Sequence, residues 1–525
     1  MHRTKLFLAT VYFLTLFSTK LFPSPQVLNL GNGSEPKDLD PHTVTGIPEF
    51  QIIQNLFEGL VGKDPKTLEP SPGVAESWKL SKDGKVYTFK LRKNAKWSNG
   101  EPVTASDFIY SWKRLLDPKT ASEYAYQGYY LKGGRDFNQG KMKDPGQLGI
   151  KSTDPLTLEV TLENPTPYFL SLLYHHSLYP VHQATVEKHG MRWTRPENLV
   201  SNGPFRLKKW QMNQVITLER NPEYWDASNV KLEAVNFFAV EKVETEEKMF
   251  LVKKLHATAS IPTEKVPFWM KDTSGVFRRH PYLGTYFYWI NVNRAPLNNP
   301  LVRKALALSI DREKLAKFVL KGGQAPSESF TPPGTGGFKP ESRLPKDLSR
   351  LTEAKKLLAQ AGFPEGKGLP PIEILYNTSE GHKKIAEAIQ EMWSENLGVK
   401  ATLYNQEWKV FLDTQHSKNY MVSRAGWIAD YNDPNTFLDM LTTGNGNNHA
   451  GWSNPDYDAL IHQAAKELKP KKRYELFQKA EEILLRELPV IPLYVYTRLY
   501  LLSPDVQGWF ENVEDIHPLK YVWLK

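Results

Sequence analysis

The stretch Arg424-Ala425-Gly426-Trp427-Ile428-Ala429-Asp430-Tyr431-Asn432-Asp433-Pro434 gathers residue types able to grip a ligand. From Met421 its first half is apolar enough for a buried strand, and its second half turns into an Asp/Asn/Pro loop. The changeover leaves the carboxylate of Asp430 just past a strand end. A flat ring at Trp427, bare backbone at Gly426 and a fixed anion at Asp430 suit a ligand that is cationic at one end. Each residue also has a plainer reading. Asp430 can form a turn beside Asn432 and Asp433, Trp427 and Trp408 can be core, and Arg424 can serve a salt bridge at the surface or between lobes.

Other chemistry is sparse. The chain has no cysteine, which excludes a thiol nucleophile, thiolate metal sites, disulfides and a lipid-modified N-terminal Cys. H-E-x-x-H and G-x-S-x-G are absent, and among 58 acids no carboxylate pair can be singled out. His175, His176 and His182 invite a metal reading. Their spacing does not place all three on one helix face and Pro180 interrupts it, so surface or loop positions and no metal are expected. Gly334-Thr335-Gly336-Gly337 lacks the G-x-x-x-x-G-K-[ST] phosphate pattern and follows Pro332-Pro333, so it reads as a turn. No cofactor is implied. A secreted hydrolase acting on peptides or cell-wall fragments is the rival from another class, with no nucleophile, metal or acid/base pair to support it.

The elements that must position the stretch alternate in type. Gln26–Leu30 alternates like a strand, and a loop from Thr43 to Pro48 precedes a helical pattern through Ile52, Ile53, Leu56 and Leu60. Asp83-Gly84 signals a hairpin before the β-rich Val86–Arg92. Thr104-Ala105-Ser106-Asp107 is a helix start with an acid three residues after its cap. Further strands are expected at Asn202–Leu207, Val215–Arg220, Ile374–Tyr376, Ala401–Tyr404 and Val490–Tyr496. Helices are expected over Pro300–Lys321, over Thr352–Ala361 with Thr352 as cap, over Ile385–Leu397 and over Lys471–Glu487. This alternation means mixed α/β layers.

At 525 residues the chain exceeds one hydrophobic core, so two or three lobes are expected. It is 40% apolar and 24% charged, an ordinary globular balance. The net charge of +9 is spread among acids, which favours a solvated surface over a nucleic-acid groove, so no nucleic-acid partner is expected. Met1–Lys5 is basic, Leu6–Phe17 is apolar, and Ser18-Thr19-Lys20 breaks the run. Twelve apolar residues are short for a bilayer, so an export signal over about residues 1–24 is expected, with no A-x-A to fix its cleavage.

Four motifs in series point to a family: Gly73–Trp78, Tyr87–Arg92, Ala95–Gly100 and Val103–Phe108. They resemble the signature of the family 5 extracellular solute-binding proteins of ABC importers. Leu56–Leu60, Tyr376–Ser379, Asn405–Lys409, Phe411–Thr414 and Arg424–Trp427 resemble its oligopeptide-binding branch. The resemblance implies a periplasmic binding protein-like α/β fold, three lobes with mixed sheets and a hinged ligand cleft. It implies lobe I from 25–57, 185–283 and 498–525, lobe II from 58–184, and lobe III from 284–497. It also implies a periplasmic, non-enzymatic monomer that binds an extended peptide through its main chain and hands it to the importer's membrane permease subunits.

Carried over position by position, the resemblance makes Asp430 the partner of the peptide's α-ammonium. Trp427 and Trp408 become rings lining side-chain pockets, and Tyr124 and Tyr496 become ligand contacts. Gly426 and Ala425 offer backbone opposite the loop Thr45-Gly46-Ile47, and Arg424 and His382 stand as cations near the carboxyl end. The chain also departs from the family pattern. Thr45 and Trp289 stand in place of acids, Gln415 in place of an arginine, and Leu320 in place of a lysine, beside Lys321. Gly284 and Ile428 replace a paired cysteine bridge. Fewer fixed charges imply an altered length preference and weaker selection for charged side chains. Murein-derived peptides are the nearer alternative ligand, and nickel, bound elsewhere in the wider family, a more distant one.

Overall fold

The computed structural model describes residues 26–341 and 349–525. The export signal expected over 1–24 lies outside the described residues. Three main sheets organise the chain. Val27–Gly31 runs parallel to Ala234–Phe238, which continues antiparallel into Val215–Arg220 and Phe205–Gln211. A second, wholly antiparallel sheet orders Ala75–Leu80, Val86–Leu91, Thr157–Thr161 and Ile150–Asp154. Its first turn carries Gly84 at φ 72°, as the Asp-Gly pair requires. Leu28, Val235, Phe89 and Leu158 belong to one core shared by both sheets. The helix Ala105–Leu116 starts as expected, with Asp107 accepting from the backbone N of Thr104 at 2.7 Å.

The third sheet has six strands, in the order Ala325–Pro326, Val490–Leu501, Phe277–Ile290, Val422–Ile428, Ile372–Asn377 and Ala401–Gln406. Side chains alternate across a strand, so Phe277–Ile290 feeds two cores. Tyr286, Tyr288 and Ile290 pack beneath the helices Pro300–Leu308 and Glu380–Leu397, while Phe287 and Trp289 pack against Asn435–Leu438 and Pro470–Glu487. Phe277–Ile290 and Val490–Leu501 are long enough to leave this sheet. Their register slips between Pro281 and Thr285, and beyond it Leu501 and Leu502 join Thr258 and Ala257 beside the first sheet.

Several helix expectations need correction. Residues 300–321 are not one helix. Pro300–Leu308 stops at Ser309, and after the Asp311 cap the chain resumes as Arg312–Lys314 and a π-helical Leu315–Leu320. Arg312, buried in this break, donates to the carbonyls of Ala307 and Pro492, bonds that pull the chain off the α-path. Thr352 is not a cap but lies inside Ser349–Gln360. Leu60 lies beyond the helix Ile47–Leu56, because Phe57 is extended.

Candidate ligand-binding cleft

The strand Val422–Ile428 is flanked unequally. On one side it pairs along its whole length with Gly284–Ile290. On the other, Ile372–Asn377 pairs only at Ile374↔Val422 and Leu375↔Ser423. From Arg424 to Ile428 the second edge carries no strand among the described residues, and every other backbone amide and carbonyl there faces away from the sheet. A cleft runs along this edge. Because it lies at an edge, it meets side chains from both faces of the strand, Arg424 as well as Trp427. Thr45, Ile47, Tyr124, Trp408, Ala425, Gly426 and Asp430 line it too.

Gly426 and Gly284 are shaped by close approach. A Cβ on Gly426 would fall 2.3 Å from the Tyr496 hydroxyl, and one on Gly284 would fall 2.3 Å from Cδ1 of Ile428, its direct cross-strand partner. Gly426→Ala is therefore expected to cost about 1–3 kcal/mol in thermal or urea unfolding. Most of it should return in Gly426→Ala/Tyr496→Phe, and an unaltered cost in the double variant would contradict the clash.

Past the strand end Asp430 is buried, its side chain 9% exposed. Its backbone N donates to Thr436 Oγ1 at 3.1 Å, and Gln127 Nε2 donates to its Oδ2 at 3.1 Å. His175 Nε2 stands 3.5 Å from Oδ1, but burial holds that imidazole well below the usual histidine range, so it brings no charge. Burial pushes the Asp430 carboxyl up to about 8. The Lys63 ammonium opposes this shift, and the Glu514 carboxylate adds to it. Lys63 is committed to Glu514 in a buried pair. The loop after Asp430 is braced: Arg473 Nη2 donates to Asp433 Oδ1 at 2.7 Å, and Asn432 Oδ1 accepts from Gly336 N at 2.7 Å. Gly336 belongs to the Gly334–Gly337 segment, which is a turn with three positive φ angles.

At the other end Arg424 is held by Asn377 Oδ1 (3.1 Å) and the Tyr496 hydroxyl (3.3 Å), over the ring of Tyr286. Its Nε, like Nε1 of Trp427, has no hydrogen-bond partner among the described residues. Tyr496 and His382 do not line the cleft but stand behind Arg424, His382 through Tyr286 (3.3 Å). Burial, reinforced by Arg424, holds His382 well below the usual histidine range, so the expected pair of cations is corrected to Arg424 alone.

The far wall comes from sequence-remote segments. Trp408 Nε1 donates to buried Glu49 at 3.3 Å, which brings the Thr45–Ile47 loop against Trp408. Tyr124 packs 4.3 Å from His175 and 6.2 Å from Trp427, between ring centroids. Of the three histidines expected at surface or loop positions, His175 and His182 do lie in irregular segments and His176 opens a short 3-10 turn, but none is at the surface: His175 and His176 are buried and line the cleft, while buried His182 is bound elsewhere to Glu101. No group of three or more ligating side chains that could hold a metal occurs among the described residues. Of the departures, Thr45, Trp289, Gln415 and Ile428 line the cleft, Gln415 donating to the Arg424 carbonyl at 2.8 Å. Leu320 is packed in core away from the cleft. Gln127, Lys63 and Glu514 escaped sequence reading, because Lys63 and Glu514 meet only through the fold, 451 residues apart.

Residues 69–449 match the family model described as Bacterial extracellular solute-binding proteins, family 5 Middle. The chain belongs to this family. It is 44% identical to the periplasmic oligopeptide-binding protein OppA of Salmonella typhimurium over 95% of this chain and 92% of that one. Haemophilus influenzae OppA in complex with RPPGFSPFR superposes with a TM-score of 0.92 at 37% identity, over 95% of this chain and 99% of that one. The Escherichia coli murein tripeptide-binding protein MppA also gives 0.92, at 39% identity over 95% and 99% of the two chains. The unliganded open form of MppA gives 0.65 over 95% and 98%, so the lobes here are not arranged as in that open form. The mixed α/β architecture is that of the family. No helix among the described residues is long and apolar enough to cross a membrane.

Proposed function

We propose that this protein is the peptide-binding component of an ABC importer and takes extended oligopeptides as an added strand along Arg424–Ile428. The observation that carries the reading is an open sheet edge ending in a buried carboxylate with no charged ion-pair partner among the described residues. Main-chain bonds along such an edge give affinity without reading side chains. An α-ammonium on Asp430 supplies the cation that the buried carboxyl lacks, and Arg424 offers a forked donor toward the carboxyl end. At about 3.3 Å per residue the edge spans roughly 13 Å, the reach of about four extended residues.

The lobe limits near 283/284 and 497/498 are supported by the register break between Pro281 and Thr285, opposite Thr497 and Val495. A hinge there lets two continuous strands join the lobes while the ladder absorbs the turn. The relatives' names place them in the periplasm, and we extend that location, delivery to permease subunits, and a monomeric, non-catalytic role to this chain. Incubation with tri- to hexapeptides and a murein tripeptide, followed by mass spectrometry of the retained fraction, tests the reading. Intact peptides at about one per chain are expected, and shortened peptides would overturn it in favour of a hydrolase.

Proton linkage gives a second test. Below about pH 8 the ligand-free Asp430 is protonated, and pairing with an ammonium ionises it, so binding releases a proton. Peptide affinity should therefore rise from pH 6 to 7.5, by at most about tenfold per unit. It should fall again as the α-amine itself deprotonates near about 8. Calorimetry in two buffers of different ionisation enthalpy reads the proton directly, and proton uptake at pH 7 would contradict the role of Asp430.

A further inference from the structure

A second cavity lies between residues 126–166 and residues 435–466 and shares no lining residue with the cleft. Its polar lining sets Asp136, Glu163, Asp439, Asn164 and Asn435 against Arg135 and Lys466. The Asp439 carboxyl accepts from the Tyr130 hydroxyl at 3.2 Å. Asn435, fully buried, directs its amide NH₂ to the hydroxyls of Tyr130 (2.8 Å) and Tyr431 (3.1 Å), which leaves its Oδ1 without a donor among the described residues. The Tyr126 hydroxyl, on a side chain 5% exposed, also has no partner there. The cation with most influence on Asp439 is Arg135, but it forms no ion pair with that carboxylate among the described residues and lies over the Tyr129 ring instead. Burial raises the Asp439 carboxyl to about 6, the mark of an anion short of positive charge.

We propose that this seam cavity is a second binding site, separate from the peptide cleft, for a primary ammonium group on a short aliphatic or aromatic body. An ammonium brings three donors and no acceptor, which suits the Asp439 carboxylate; the unpartnered Asn435 carbonyl and Tyr126 oxygen lie behind the cavity wall and add negative potential to it. The ring of Tyr130 adds cation–π attraction to an apolar wall. An anion is disfavoured by Asp439. The walls come from both segments, so an occupant favours the arrangement in which they meet. That bridging role rests on the proposed lobe closure, whereas the ammonium site itself does not.

The test uses the full chain carrying Asp430→Asn, which removes the ammonium anchor of the cleft. Saturation-transfer NMR with n-butylammonium at pH 7.5 should give a saturable signal, and n-butanol should give none. Adding Asp439→Asn or, separately, the cavity-filling Ala465→Leu should weaken the signal by about tenfold or more, with thermal melts confirming that each variant is folded. Equal binding of butanol, or undiminished binding in Asp439→Asn, overturns the site. Small-angle scattering should show a smaller radius of gyration with saturating butylammonium, and an unchanged radius overturns the bridging role. Peptide binding enters none of these readouts, so failure of the cleft assignment would leave the ammonium-site result standing.

Discussion

Asp430→Ala weakens binding of a free-amine tetrapeptide by about 2–5 kcal/mol, or roughly 30- to several-thousand-fold, the range seen when one partner of a buried charge pair is truncated. The N-acetylated peptide, which brings no cation, should lose no more than about threefold, because its main-chain bonds to the open edge remain. Asp430→Asn is the stricter variant, keeping volume and the Gln127 contact while removing the charge. The same residue has a signature in stability. Its folded carboxyl is raised to about 8, so the folded chain holds a proton that the unfolded chain releases near pH 4. Wild-type stability therefore falls as pH rises from about 4 toward 8. Asp430→Asn lacks that loss, and near pH 7.5 it should melt no lower than wild type. Equal losses for free and acetylated peptides would remove the ammonium-pairing role.

Lys63→Met is expected to destabilise the protein by about 3–5 kcal/mol, the cost of leaving one charge of a buried pair uncompensated. The Lys63 and Glu514 side chains are 1% and 2% exposed, and the pair ties the segment after Ile47–Leu56 to the C-terminal residues. Glu514 is already pushed up by burial, with Lys63 as its main counterweight. Lys63→Met/Glu514→Gln should recover most of the loss, because a neutral amide has no ionic desolvation to offset. Urea unfolding of the single and double variants reads this directly, and a double variant no more stable than Lys63→Met would contradict it. Lys63 also restrains the Asp430 carboxyl. In Lys63→Met the rise of peptide affinity with pH should therefore move to higher pH, a shift that a purely structural loss would not produce.

The extent to which the site was legible in the sequence follows from how local each feature is. The strand-to-loop change before Asp430 is written in consecutive residues, so the strand Val422–Ile428 and the place of Asp430 just past its end could be anticipated, whereas the open edge of its ladder could not. The capping pair Thr104/Asp107 and the Asp-Gly hairpin were legible for the same reason. The broken helix after Leu308 was not, since the cause is a buried Arg312 reaching the carbonyl of Pro492 on a strand 180 residues away. His175 and His176 gave no sign of burial, because their surroundings are Tyr124, Pro41 and Asp430, brought together only by the fold. His382 was expected to be a cation from the family resemblance, and only its depth beside Arg424 makes it neutral.

Native mass spectrometry of the protein purified from its host tests the central claim most directly. The account predicts a mixture of unmodified, free-amine peptides, one per chain, lost together when Asp430 is replaced by Asn. Recovery of a single non-peptide solute, or of peptides retained equally by the Asp430→Asn protein, would contradict it.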